Sequence, residues 1–224
     1  MKHNIAEVAK LQPDYLGFIF YEKSPRFFDV EIPSLPSGIK KVGVFVDASL
    51  DEIMLSGKKY DLDVIQLHGE ESPNYCAALK GEIYLEISRI EDAQPNQGGS
   101  LFEPEIWKVF SIKDGFDFEN LKQFENLVDK FLFDTKGKEK GGNGHTFNWE
   151  VLKNYPSKKP FILSGGIGLE EIDSLKKLLK KDLPIHAIDV NSKFEIEPGL
   201  KDVSSLKKFI SIIETGLNGT TNHD

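Results

Sequence analysis

The chain has 224 residues and a net charge of −8, with 39% hydrophobic and 29% charged residues. That length is ample for one well-buried core, and an acidic excess spread along the chain argues against a nucleic-acid or anionic-membrane surface, although a small anionic ligand needs only a local positive site. No apolar run approaches the roughly 20 residues of a membrane span, no signal-peptide apolar region opens the chain, and the single cysteine, Cys76, rules out an intramolecular disulfide or a cysteine-based metal cage, so a cytoplasmic protein is expected.

The chain opens in a helix-like segment, 4–11. Short apolar runs then recur at 15–21, 41–46, 64–67, 107–112, 131–133, 161–163 and 187–190. Each is too short for a helix and apolar on both alternating faces, as strands buried on both sides of a parallel sheet should be. Helix-like stretches at 51–60, 72–80, 118–128, 148–155, 168–183 and 202–217 lie between them. In 168–183, Ile172, Leu175, Leu178 and Leu179 share one face; in 202–217 the stripe is Val203, Leu206, Phe209, Ile210 and Ile213, with Asp202 as N-cap. The rhythm breaks at 82–106, read as an insertion that holds a candidate additional strand at 83–90 (IYLEISRI) and then a polar loop. Residues 1–215 read as a single domain and 216–224 as a polar tail. Seven strands alternating with helices form repeated βαβ units. Either a (β/α)8 barrel lacking its first strand or a doubly wound open sheet satisfies that pattern.

In parallel α/β proteins, ligands bind at the carboxyl ends of strands. Arg26, past the first strand, can hold a carboxylate bidentately or stand as an ordinary loop arginine. His68, past the third, reads as a hydrogen-bonded structural residue or a rim contact. Asp134 ends the fifth strand, where a half-buried carboxyl suits a general acid and equally caps a turn. The loop after it carries Gly141, Gly142 and Gly144, which permit close backbone approach to an oxygen-rich ligand or simply a flexible turn; it is neither a Walker A loop nor a G-x-G-x-x-G fingerprint. Gly165 and Gly166 follow the sixth strand, and Asn191 and Ser192 follow the seventh. Two adjacent corners of this kind suit a phosphate held by backbone N–H groups, with tight packing turns the alternative. Five scattered histidines offer no metal-ligand spacing. Cys76 lies in a helix-like run and reads as a core filler.

Taken in order, Gly17-Phe18-Ile19-Phe20-Tyr21, Lys23-Ser24-Pro25-Arg26, Val42-Gly43-Val44-Phe45-Val46, Gln66-Leu67-His68-Gly69, Phe133-Asp134-Thr135-Lys136, Gly141-Gly142-Asn143-Gly144, Ser164-Gly165-Gly166 and Asp189-Val190-Asn191-Ser192 resemble the strand ends of phosphoribosylanthranilate isomerases. The resemblance implies a TIM-type barrel and an Amadori rearrangement of a phosphosugar in tryptophan biosynthesis. It needs no cofactor, because a protonated imine is its own electron sink. It implies Asp134 as general acid, Arg26 and His68 on the substrate, and Gly142 and Gly144 over the site. Asp189 would line the pocket, and Gly165, Gly166, Asn191 and Ser192 would bind the phosphate, with no metal. The family's general base is a cysteine in a Lys-x-Cys-Gly-Met first strand, which the 224 residues do not contain. Met1 reads as the continuation of that motif. The expectation is therefore a chain begun at an internal methionine, impaired in turnover and prone to self-association through exposed strand edges. The alternative is a non-catalytic sugar-phosphate-binding pseudoenzyme. A metal-dependent epimerase would show ligand histidines and an indoleglycerol-phosphate synthase a lysine near its first strand; neither pattern is present.

Overall fold

The seven apolar runs form the strands β1 Tyr15–Ile19, β2 Lys40–Phe45, β3 Val64–Leu67, β4 Glu105–Ile112, β5 Lys130–Thr135, β6 Phe161–Ser164 and β7 Ile185–Ile188. The computed structural model describes residues 1–93, 102–113, 115–135 and 149–218. The α-helices are α1 Ile5–Ala9, α2 Leu50–Tyr60, α3 Pro73–Ala93, α4 Ile172–Leu179 and α5 Val203–Asn218, and a small hairpin, β8 Glu195–Glu197 and β9 Leu200–Lys201, precedes α5.

Local chemistry accounts for most boundaries. A capping box starts α2: the Ser49 hydroxyl accepts from Glu52 N (3.2 Å) and the Glu52 carboxylate accepts from Ser49 N (2.7 Å). Asp202 caps α5 as expected, its carboxylate accepting from Ser205 N at 3.1 Å. Three expectations change. In the stretches expected to be helical at 118–128 and 148–155, the described residues form the shorter 3-10 helices Phe118–Phe124 and Trp149–Asn154. Their buried residues recur every three positions (Phe118, Leu121, Phe124; Trp149, Leu152, Tyr155), which puts them on one face at 3.0 residues per turn. The segment 168–183 divides into a 3-10 turn and the shorter α4. The strand expected at 83–90 is instead the second half of α3. Cys76, Leu79 and Ile83 are buried and Ile87 half-buried, an i, i+3/i+4 stripe against the core, which wins over the β-branched composition of that segment.

The sheet order is β1-β2-β3-β4-β5-β6-β7, every pair parallel. A doubly wound sheet reverses direction at a switch point; this one never does. Laid flat, six intervals of about 4.8 Å would separate β1 from β7 by about 29 Å. Instead Tyr15 Oη on β1 lies 2.8 Å from His186 Nε2 on β7, so the sheet curls round on itself. Val42, Val64, Trp107, Val109, Leu132 and Ile162 form a cluster apart from the main core, joined by Tyr15, Val44 and Ala187. All seven strands contribute to that cluster, which fills the inside of the barrel wall. The main core lies between strands and helices. Seven strands thus form a TIM-type barrel with one strand position, between β1 and β7, unfilled among the described residues. At that position the Met1 nitrogen donates to Gly17 O of β1 at 2.8 Å, as the last rung of a parallel neighbour would. No helix among the described residues is long and apolar enough to cross a membrane.

Candidate active site

Side chains alternate along a strand, so the inner cluster fixes which later residues face inward. Leu132, Ile162 and Ala187 face in; two positions on, Asp134, Ser164 and Asp189 therefore project into the carboxyl mouth of the barrel. Asp134 and Ser164 are register partners on β5 and β6. Ser164 Oγ donates to Asp189 Oδ2 at 2.8 Å, tying β6 to the end of β7. Asp134 is buried. By the same alternation Gln66 on β3 faces in above Val64. Its side-chain Nε2 lies 3.2 Å from His68 Nδ1. An amide nitrogen only donates, so Nδ1 accepts and the ring proton sits on Nε2. That Nε2 is 3.7 Å from Asp134 Oδ2, too far for a hydrogen bond.

The two corners expected to hold phosphate are neighbours. Gly165 and Gly166 have φ of 98° and 65°, left-handed values that glycine adopts without strain. A Cβ added at Gly168 would stand 3.2 Å from that of Lys193, so the loop after β6 abuts the one after β7. Ser192 opens a 3-10 turn, and Asn191 receives Lys201 Nζ on both its carbonyl (3.1 Å) and its side-chain oxygen (2.6 Å). Gly142 and Gly144 lie outside the described residues.

Arg26 does not stand alone. Its Nε and Nη2 clasp the Glu195 carboxylate at 2.6–3.0 Å, across the unfilled strand position. Glu195 also accepts from Gly199 N at 3.1 Å and Lys201 Nζ at 3.2 Å. Burial alone would raise its pKa, but the Arg26 guanidinium and the Lys201 ammonium outweigh it and hold the carboxyl at about 2. Burial in turn pulls the Lys201 ammonium below its ordinary value.

A second buried pair supports the rim from behind. Lys108, pointing outward from β4, reaches Glu71 Oε2 (3.0 Å) and Gly69 O (2.7 Å). Glu71 accepts the backbone N–H of Asp47 and of Gly69, so one carboxylate joins the loops after β2 and β3 and fixes the loop carrying His68. Only glycine fits at position 69, where a Cβ would meet Asp47 N at 2.7 Å. Cys76 is buried on α3 behind the wall, and burial pushes its thiol up to about 11.

The sequence reading missed Glu195, Lys201, Glu71 and Lys108. Lys108 leaves a signal, a lysine within the apolar run WKVFSI that needs a partner if buried. Glu195 leaves only the Pro198-Gly199 turn of its hairpin. Among the described residues no group of three His, Cys, Asp or Glu side chains is arranged to hold a metal ion.

Comparison with known proteins agrees with this geometry. The model of the N-(5'phosphoribosyl)anthranilate (PRA) isomerase family matches residues 1–98 and 99–212. The N-(5'-phosphoribosyl)anthranilate isomerase of Parabacteroides distasonis is 40% identical over 224 residues, 95% of this chain and 91% of that protein. Its counterpart in Phocaeicola vulgatus is 36% identical over 209 residues, 93% and 91% of the two chains. The solved phosphoribosyl anthranilate isomerase of Thermotoga maritima superposes with a TM-score of 0.71 at 27% identity, covering 94% of this chain and 92% of that one. Another solved isomerase, in complex with reduced 1-(o-carboxyphenylamino)-1-deoxyribulose 5-phosphate, has a TM-score of 0.68 at 24% identity, covering 94% and 92%. A family match across nearly the whole chain and a relative at 40% identity agree with the uninterrupted parallel strand order, and the chain belongs to the N-(5'-phosphoribosyl)anthranilate isomerase family.

Proposed function

We propose that this chain serves the Amadori rearrangement of N-(5-phosphoribosyl)anthranilate to 1-(2-carboxyphenylamino)-1-deoxyribulose 5-phosphate, with Asp134 as general acid. The observation that carries the reading is the level row of Asp134, Ser164 and Asp189 in the barrel mouth. Asp134 donates its proton to the ring oxygen as the C1–O bond breaks, leaving a protonated imine. Loss of the C2 proton to a base then gives an enolamine, which tautomerises to the ketone. C1 is reduced as C2 is oxidised, so the steps balance without an external oxidant. Arg26 meets the anthranilate carboxylate; His68 and Asp189 line the pocket. Gly165, Gly166, Asn191 and Ser192 take the phosphate. The complex of a relative with reduced 1-(o-carboxyphenylamino)-1-deoxyribulose 5-phosphate supports a ligand of this class.

The base is what these residues lack. Cys76, the one cysteine, is buried behind the wall with its thiol held at about 11. The unfilled position between β1 and β7 flanks the mouth, and a thiol at the carboxyl end of a strand placed there completes the acid–base pair. The 224-residue chain should therefore turn over slowly. Adding a Lys-x-Cys-Gly segment before Met1 should raise steady-state turnover by about 10²–10⁴-fold, and Asp134→Asn in the extended chain should remove a comparable factor. Normal turnover without the segment overturns the missing base; undiminished turnover of the Asn variant overturns the acid. Ligand affinity with no turnover in any form favours a sugar-phosphate binder instead. The edges of β1 and β7, unpartnered among the described residues, favour self-association, visible as concentration-dependent sedimentation that the added segment abolishes.

A further inference from the structure

The geometry points to Glu195 as a positioning residue: it holds Arg26 so that the guanidinium presents its end-on edge to the carboxylate of the ligand, and it links that carboxylate reader to the phosphate corner. The inference rests on the proposed function, which places the anthranilate carboxylate at Arg26.

A guanidinium has two bidentate edges, a side edge made of Nε and Nη2 and an end edge made of Nη1 and Nη2. Glu195 occupies the side edge, with Nε 3.0 and 2.8 Å from its two oxygens and Nη2 at 2.6 Å. Among the described residues no protein group bonds Nη1. The Glu195 side chain is 4% exposed and the Arg26 side chain 23%, so the clasp is buried while the arginine still reaches solvent. One carboxylate cannot serve both edges of the same guanidinium, so a ligand carboxylate takes the end edge. Glu195 also offsets part of the positive charge of Arg26 and Lys201.

The same Glu195 receives Lys201 Nζ, which also holds both oxygens of Asn191 at the head of the phosphate corner. Asn4 fixes Lys201 in turn, through Asn4 Nδ2 to Lys201 O (2.9 Å) and Lys201 N to Asn4 Oδ1 (3.0 Å). Glu195 thus joins the two parts through Lys201, while Lys201 keeps its Asn191 and Asn4 contacts independently of Glu195.

The test is calorimetric titration of the 224-residue protein with reduced 1-(o-carboxyphenylamino)-1-deoxyribulose 5-phosphate and with the same compound lacking the carboxylate. Wild type should prefer the carboxylated ligand by on the order of 10- to 100-fold, as for a charge-assisted bidentate pair. Glu195→Gln should cut that preference about tenfold with far less effect on the decarboxylated ligand, and Glu195→Asp should restore part of it. A purely structural role would weaken both ligands alike. Equal binding of the two ligands by wild type, or binding of neither, overturns the placement of the substrate carboxylate at Arg26, and with it the proposed function. A wild-type preference that survives intact in Glu195→Gln overturns the positioning role alone. A second readout needs no variant: arginine side-chain NMR of the wild-type protein should show the ligand shifting the Arg26 Nη signals while Nε stays in place. A shift confined to Nε overturns the inference.

Discussion

Glu195 and Lys108 both end buried ion pairs, and each makes a separate prediction. The Glu195 carboxyl is held at about 2 in the fold, against 4.5 ordinarily, by Arg26 and Lys201 in spite of its burial. Its stabilising effect is therefore complete above about pH 4.5 and is lost as pH falls toward 2, a span worth on the order of 3 kcal/mol. Glu195→Gln should unfold at lower urea than wild type at pH 7, and the difference should shrink as the titrations are repeated from pH 4.5 downward. The Lys108–Glu71 pair is buried more deeply, at 4% and 1% side-chain exposure. Lys108→Met strands a carboxylate beside Gly69 and should cost about 3–5 kcal/mol by urea unfolding. Adding Glu71→Gln removes that charge while keeping an acceptor for the Asp47 and Gly69 amides, so the double variant should recover part of the loss. Lys108 was visible in the sequence as a charge inside an apolar strand; its partner 37 residues away was not.

At the scale of elements, α3 separates two readings of the same residues. IYLEISRI carries isoleucines at 83, 87 and 90, a spacing that serves either a strand composition or a helical stripe. The deciding factor is burial against the core of Cys76, Leu79 and Ile83 together, which only a continuous helix achieves. Tyr84 lies mid-helix and is 69% exposed, so its side chain contributes little. Tyr84→Pro should nevertheless cost about 3 kcal/mol and reduce far-ultraviolet helical dichroism, because the ring removes an i→i−4 bond and clashes with the preceding turn. A loss within about 0.5 kcal/mol would mean that the helix ends before residue 84.

At the scale of the whole molecule, two side-chain contacts stitch the unfilled position at opposite ends. Tyr15 meets His186 at the amino end of the barrel, and Arg26 meets Glu195 at the carboxyl end. Between them, among the described residues, β1 and β7 have no sheet partner on that side, and β7 is only partly buried. Backbone amides of β1 and β7 should therefore exchange with deuterium faster than those of β4 and β5, which are paired on both sides. An N-terminal strand that fills the position should slow β1 and β7 selectively; equal exchange in all four strands would mean that the barrel is already closed.

The sequence by itself located the seven strands of the main sheet, because each is a short run apolar on both faces, but not the β8–β9 hairpin. It also located the strand-end residues Asp134, Gly165, Gly166, Asp189, Asn191 and Ser192, because in parallel α/β units the residue after an apolar run lies at the carboxyl rim. Barrel or open sheet was not legible, since both share the βαβ repeat; the unbroken neighbour order and the Tyr15–His186 contact decided it. Nor was the state of Arg26 legible. Its partner Glu195 is 169 residues distant, and only closure of the sheet brings the loop after β1 beside the hairpin after β7. Local periodicity encodes which face of an element is buried, while long-range charge pairing depends on where the curvature of the sheet carries each end.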